Sequence, residues 1–256
     1  MTLVIFINMK VNKEIMDDLL SIVIPVYNEG ENIKNVVCEI KEKIKTPNNV
    51  YVVYDDEKDN TIPAVKKLIS NNTKIHLLKN KYRSGFINAI RTGFENSESE
   101  AILIVMADSS DDLTNVDEMF RLINSGYDLV CGSRYMKGGK QIGGSWFKKL
   151  LSRAAGVSLH YLTGVPTHDV TNSFKMYRKK YLNEIMIESI GGFELGLELI
   201  VKAFVFGYKI IEVPCIWRDT GEKKSRFKLW AWLPKYLHWY WFAILNGNNN
   251  NLKRKA

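Results

Sequence analysis

Hydrophobic and polar positions along the chain fall into a repeating rhythm. Leu20 to Val26 (LSIVIPV) is an unbroken apolar run rich in β-branched residues, the pattern of a strand buried on both faces of a parallel sheet. A polar turn, Tyr27 to Gly30, follows it. Ile33, Val36, Val37, Ile40 and Ile44 then recur at helical spacing. The alternation repeats three times: Val50 to Tyr54 with Ile62 to Ile69, Ile75 to Leu78 with Phe86 to Phe94, and Ala101 to Met106 with Val116 to Ile123. Strands alternating with helices predict βαβ crossovers and an α/β fold with a mostly parallel, doubly wound sheet. In such a sheet ligands bind beyond the carboxyl ends of the strands.

After Leu129 to Gly132 the character changes. Gly138, Gly139, Gly143 and Gly144 crowd one short loop beside the expected binding edge, a composition suited to a lid. A helix is expected from Trp146 to about Leu162, a short strand over Asn172 to Tyr177, a helix over Phe193 to Phe206 and a last strand over Lys209 to Val213. Residues 1–19 read as an N-terminal extension, with Thr2 to Ile7 as an extra strand and not a signal peptide, because no basic region precedes it. Residues 20–222 read as one catalytic domain, 223–246 as a basic aromatic segment and 247–256, with its Asn248 to Asn251 run, as a disordered tail.

Composition changes the picture at one end only. The net charge of +8 arises from Lys223 onward, where eight basic residues and no acidic one occur, so the remainder balances at 28 basic (36 less 8) against 28 acidic. Trp230, Trp232, Trp239 and Trp241 share that segment with Tyr236, Tyr240, Phe227 and Phe242. Amphipathic rings interleaved with cations suit an anionic membrane surface. The bland alternative is a helix packed on the body with a solvated tail. The apolar run from Trp239 to Leu245 is far short of the ~20 residues of a membrane span. A basic excess confined to the tail, with no fold motif beside it, argues against a nucleic-acid-binding module. Cys38, Cys131 and Cys215 are widely spaced and fit a reducing, cytoplasmic compartment, with no disulfide framework or zinc site.

Two acidic clusters follow strands at the same edge: Asp55 and Asp56 after the second, Asp108, Asp111 and Asp112 after the fourth. Carboxylates there suit a divalent cation that neutralises a diphosphate. They also suit helix capping, Asp111 and Asp112 above all.

With these come further segments. Ser21 to Glu29 (SIVIPVYNE), Val52 to Thr61 (VVYDDEKDNT), Ile104 to Asp112 (IVMADSSDD), Cys131 to Tyr135 (CGSRY), Ser152-Arg153, Asp169 to Lys175 (DVTNSFK), Phe193 to Glu198 (FELGLE) and Gly207 to Pro214 (GYKIIEVP) occur in order. Together they resemble the family-two glycosyltransferases, most closely the dolichol-phosphate mannose synthase branch and its polyprenyl-phosphate relatives, over roughly residues 20 to 240. The resemblance implies a GT-A type nucleotide-sugar-binding domain, and the aromatic, basic segment across residues 226 to 245 is expected to form one or two C-terminal amphipathic interfacial helices, broken near Pro234. It implies donor contacts from Pro25, Tyr27, Asn28, Glu29, Asp55, Asp56 and Asp108. It places Mg2+ or Mn2+ at Asp108, with Ser110 or Asp111. Acceptor contacts fall to Ser133, Arg134, Arg153 and Lys175, with Asp108, Arg134 and Arg153 as the catalytic set.

Departures are specific. The family's DxDxQ pattern puts its first carboxylate on Met106 and its glutamine on Ser110, and a thioether is a poor ligand for a hard cation. In the late R-x-x-G-x-S-K/R-F stretch, Thr220 and Lys223 stand where Arg and Gly are expected, leaving Arg218, Lys223, Lys224 and Arg226 as candidate phosphate contacts.

The implied reaction is inverting transfer of one sugar from a GDP-mannose or UDP-glucose type donor to a polyprenyl or dolichyl phosphate at the cytoplasmic membrane face. A phosphate acceptor is already ionised and needs no general base. The alternative within the enzyme class adds a sugar to a glycan or lipid-linked saccharide, and would need a base such as Asp169 or Glu198. The alternative outside it is a non-catalytic nucleotide-binding or scaffold homologue, which Met106 keeps open.

Overall fold

The computed structural model describes residues 19–70, 72, 74–219, 221 and 229–247. The N-terminal extension, Thr220, Lys223, Lys224, Arg226 and the tail lie outside them. Nine strands are described: β1 (Leu20–Pro25), β2 (Asn48–Tyr54), β3 (Ile75–Lys79), β4 (Ala101–Ile104), β5 (Leu129–Ser133), β6 (Lys140–Ile142), β7 (Lys175–Arg178), β8 (Ile210–Pro214) and β9 (Ile216–Arg218). Eight helices accompany them: α1 (Ile33–Lys43), α2 (Thr61–Ile69), α3 (Phe86–Asn96), α4 (Val116–Asn124), α5 (Trp146–Thr163), α6 (Lys179–Glu184), α7 (Leu195–Phe206) and α8 (Leu229–Asn246).

Seven strands form one sheet in the order β3-β2-β1-β4-β7-β5-β8. It is parallel throughout except for β7, which runs antiparallel to both β4 and β5. Apolar side chains on both faces of β1 explain its unbroken run. Leu20, Ile22 and Ile24 join one core with α1, α2 and α4, while Val23 joins a second with α3, α7 and α8. The sheet is therefore the middle of three layers. Because β7 enters in reverse, its first residue, Lys175, lies at the edge where β1, β2, β4 and β5 end.

Two expectations change. The glycine-rich segment read as a lid contains β6, which pairs in parallel with β9, so its centre is tied to the chain after β8. The C-terminal segment is one helix, Leu229–Asn246, that runs through Pro234 without the expected break. Pro234 stands in the second turn, where its missing N–H forfeits one bond. Tertiary anchors hold the turns beyond: Tyr236 Oη donates to the Phe193 carbonyl at 2.8 Å, Trp239 Nε1 donates to Ser189 Oγ at 3.2 Å, and Ala243 is buried. Among the described residues no helix is long and apolar enough to cross a membrane.

Helix α3 approaches the sheet closely at Gly93. A β-carbon built there would lie 2.3 Å from Cγ1 of the fully buried Val23. Alanine is the better helix former by about 1 kcal/mol, yet overpacking costs roughly 1–3 kcal/mol. Gly93→Ala is therefore expected to lower the urea midpoint; an unchanged or raised midpoint would show that α3 can move off the sheet.

Candidate active site

Two loops lace together at the ends of β1 and β2. The Asn28 backbone N–H donates to Asp59 Oδ2 at 3.0 Å, that of Glu29 to Thr61 Oγ1 at 2.9 Å and that of Gly30 to Asn60 Oδ1 at 2.8 Å. Asp59 also accepts from the Thr61 backbone N–H at 2.8 Å and its hydroxyl at 2.5 Å. Asn28 takes a left-handed φ of 55°, which an Asn tolerates better than most residues. The result is a fixed turn after Pro25, with Tyr27 half-exposed at its tip. Asp55 joins a third loop, accepting from Asn80 Nδ2 at 2.7 Å and from the Gly85 backbone N–H at 2.8 Å. Asp56 is exposed and accepts from the Lys58 backbone N–H at 2.9 Å. Asp59, Thr61 and Asn80 were not singled out from the sequence. The Asp-x-Thr spacing just before a helix was the available signal.

Beyond β4 the chain turns through Ser109, whose φ is 51°. Asp108 is exposed there and accepts from the Ser110 backbone N–H at 3.1 Å. Ser110 and Asp111 are buried, the latter with Oδ2 unpartnered. Burial, with the Asp108 charge beside it, pushes the Asp111 carboxyl up to about 7. An orphaned carboxylate oxygen next to an exposed carboxylate fits a cation whose remaining ligands come from a diphosphate and water. No cluster of three acidic, His or Cys side chains able to hold a metal occurs among the described residues. Asp112 caps the single 3-10 turn Leu113–Asn115 that leads into α4, accepting from the Thr114 backbone N–H at 3.1 Å, and Asp111 does not cap it. Arg218 lies 3.8 Å from Asp112 and donates its backbone N–H to the Ser110 carbonyl at 2.8 Å, bringing β9 against this loop.

Arg134 follows β5 and meets Asp169. Its Nε and Nη2 donate to the two carboxylate oxygens at 2.6 and 2.9 Å, its backbone N–H adds a third bond at 3.1 Å, and Nη2 also reaches Thr171 Oγ1 at 2.9 Å. Burial alone would raise the Asp169 pKa, but the charge and hydrogen bonds of Arg134 override it and hold the carboxyl below its ordinary value. The guanidinium lies 5.0 Å from the centre of the Tyr135 ring. Tyr135 Oη bonds Ser152 on α5, next to the exposed Arg153, whose charge acts on Tyr135. Tyr135 thus brings Arg134 and Arg153 into one neighbourhood.

Ser133 and Lys175 are placed differently from that pair. Both are fully buried, and Ser133 Oγ and Lys175 Nζ have no hydrogen-bond partner. Glu198 is equally interior: it accepts from the backbone N–H groups of Glu188 and Ser189 at 2.6 and 2.9 Å and from Lys202 at 2.7 Å. It anchors the loop before α7 and presents no free oxygen to an acceptor.

Removing one partner of a buried ion pair costs roughly 3–5 kcal/mol. Because the Asp169 pKa is depressed in the fold, its contribution is present above the ordinary carboxylate range near 3.9 and lost as pH falls through the folded value. Asp169→Asn should therefore be strongly destabilised at pH 7 in urea titrations, with a gap to wild type that begins to narrow only as pH falls below about 3.9. A gap constant with pH would mean that the charge is not what holds this loop.

A family model for glycosyl transferase family 2 matches residues 21–186, more than half of the chain. The chain is 26% identical over 211 residues to polyprenol monophosphomannose synthase of Mycolicibacterium smegmatis, covering 79% of each. It is 27% identical over 216 residues to dolichol-phosphate mannosyltransferase of Pyrococcus furiosus, covering 82% of this chain and 60% of that longer relative. Among solved structures, glucosyl-3-phosphoglycerate synthase from Mycobacterium tuberculosis in complex with UDP superposes with a TM-score of 0.65 at 12% identity, covering 91% of this chain and 82% of the other. A mannosyltransferase from Pyrobaculum calidifontis in complex with GDP-Man and Mn2+ gives 0.57 at 18% identity, covering 87% and 62%. The mostly parallel sheet, the laced loops at its carboxyl edge and the matched model agree: this chain belongs to glycosyl transferase family 2.

Proposed function

We propose that this chain is an inverting glycosyltransferase that moves one hexosyl group from a nucleotide sugar to a polyprenyl phosphate at a membrane surface. The observation that carries this reading is the state of the carboxylates. Asp169 and Glu198, the bases a hydroxyl acceptor would call on, are both consumed by internal hydrogen bonds, Asp169 by Arg134 itself, while Arg153 stands exposed beside Tyr135. Cations without a free base suit an acceptor that arrives ionised.

In the reaction an acceptor phosphate oxygen attacks the anomeric carbon. The new carbon–oxygen bond forms as the bond to the diphosphate oxygen breaks, and the electron pair leaves with the nucleoside diphosphate. No proton is transferred. The turn from Pro25 to Glu29 with Asp55 and Asp56 would orient the nucleoside, and Arg134 and Arg153 would align the acceptor. A divalent cation, Mg2+ or Mn2+, held by Asp108 and Asp111 would supply charge neutralisation for the leaving diphosphate. The mannosyl transfer named for the two relatives and the GDP-Man and Mn2+ of one structural neighbour support this reading.

Access to a membrane-bound acceptor has a structural basis on two helices. On α8, Leu237, Trp241 and Leu245 repeat every four residues on one exposed stripe. On α5, Trp146, Leu150 and Tyr161 share a face with Arg153, and Trp146 is 75% exposed. Ser158 Oγ and Tyr240 Oη, 2.8 Å apart, join the two helices. Apolar stripes beside an arginine suit a lipid interface, here the inner face of a cytoplasmic membrane.

Trp241→Glu with Leu245→Glu is expected to abolish flotation with anionic liposomes while leaving the folded state intact. Arg153→Ala should raise the KM for polyprenyl phosphate about tenfold or more, the scale of one lost charge-assisted hydrogen bond, with the donor KM unchanged. Undiminished flotation would remove α8 from the docking surface, and an unchanged acceptor KM would remove Arg153 from the site.

A further inference from the structure

The two sides of the proposed reaction centre come from separate segments: the acidic loop Asp108 to Asp112 after β4, and Arg153 on α5. The acidic loop is tied to β9. Asp111 forms an isolated antiparallel bridge with Trp217, the Asp112 backbone N–H donates to the Ile216 carbonyl at 3.0 Å, and that of Arg218 donates to the Ser110 carbonyl at 2.8 Å. Strand β9 in turn carries β6, with Trp217 paired to Gln141. Gly144 lets the chain after β6 pass close to this pair. With φ at 75°, a β-carbon there would lie 3.3 Å from the Trp217 ring and 3.6 Å from Gln141 Nε2.

Gln141 meets the other side through two oxygens. Its Oε1 accepts from Tyr135 Oη at 3.0 Å, and its carbonyl accepts from Lys149 Nζ at 3.1 Å. Tyr135 Oη also bonds Ser152, and Ser152 Oγ reaches the Lys149 carbonyl at 3.1 Å. Gln141, Tyr135, Lys149 and Ser152 thus close a ring of hydrogen bonds over the first two turns of α5, with Arg153 exposed at the next position. Of the four, Gln141 is the one whose backbone is paired with β9.

We infer that Gln141 is a positioning residue, which through Tyr135 holds α5, and so the Arg153 guanidinium, at a fixed place relative to the acidic loop. Transfer between two bound substrates is sensitive to a misplacement of about 1 Å between their reacting atoms. The affinity of the donor for its own contacts does not depend on that separation. Loss of the Gln141 amide therefore slows transfer and leaves donor binding as it was. This inference rests on the phosphate-acceptor reading above.

The test uses the full chain with Mn2+ in wild type, Gln141→Leu, Tyr135→Phe and the double variant. It measures hexose transfer from GDP-mannose and from UDP-glucose to polyprenyl phosphate, calorimetric binding of the same donors, and urea unfolding to confirm the fold. Gln141→Leu removes the amide and keeps the backbone pairing, and Tyr135→Phe deletes the hydroxyl at the other end of the same bond. The expected result is a kcat for transfer about tenfold lower in Gln141→Leu, the scale of one hydrogen bond, and lowered at least as far in Tyr135→Phe. The double variant should fall no further than Tyr135→Phe, because both changes break one interaction, and donor affinity should change less than about twofold throughout. An unchanged kcat in Gln141→Leu would overturn the inference. So would losses that multiply in the double variant, or an equal loss of donor affinity, which would mark a general loosening of the ribbon. A wild-type chain that transfers no hexose to polyprenyl phosphate would overturn the acceptor reading itself, before any variant is compared.

Discussion

The buried carboxylate of Asp169 constrains everything at the carboxyl edge of the sheet. Isolated in the interior it would be untenable, so the chain surrounds it with the Arg134 guanidinium, the Arg134 and Asn172 backbone N–H groups and the Thr171 hydroxyl. Those bonds tie the end of β5 to the loop that feeds β7. Asn172 then donates to the Gly132 carbonyl at 2.9 Å, fixing the point where β7 enters between β4 and β5. One level further out, His168 Nδ1 and its backbone N–H meet Glu212 on β8 at 2.6 and 2.8 Å, and its ring packs 4.1 Å from that of His160 on α5. The Arg134–Asp169 pair thus links the end of β5 to the entry of β7, and the neighbouring His168 contacts extend that connection to β8 and α5.

That arrangement divides labour among the charged groups. Carboxylates at the edge organise loops, with Asp59, Asp55 and Asp169 each joining two segments far apart in sequence. Asp56 and Asp108 are the exposed carboxylates of this edge, Asp108 with the buried Asp111 behind it, and both serve the proposed donor site. Phe193 joins several elements: it stacks on Phe86 of α3, packs against Trp232 at 5.8 Å, and its carbonyl accepts from Tyr236 Oη. The helix proposed to lie on the membrane thereby packs directly against the Phe193 segment that leads into α7.

Much of this was legible in the sequence because it depends on local chemistry. The strand β1 and its turn are visible as an apolar run followed by Tyr-Asn-Glu-Gly, and the Arg134 and Arg153 segments by their resemblance to a family pattern. What escaped reading is non-local. A four-residue strand such as β7 gives no sign of its direction, and the three-residue ribbon of β6 and β9 has no hydrophobic signature. Lys175 and Ser133 read as acceptor contacts, and nothing in a half-polar strand announces that both are fully buried. Glu198 looks like a free base until the loop from Glu188 folds onto it. Pro234 reads as a break because the contacts of Tyr236 and Trp239 come from residues some fifty positions earlier.

The account stands on the claim that the acceptor is a phosphate and not a hydroxyl. The most direct test is transfer of radiolabelled hexose from its nucleotide donor, in vesicles with Mn2+, to polyprenyl phosphate and to unphosphorylated polyprenol of the same length. The account predicts a labelled polyprenyl phosphosugar from the first and no product from the second. Transfer to the free alcohol, or to a saccharide acceptor with none to the phosphate, would contradict it.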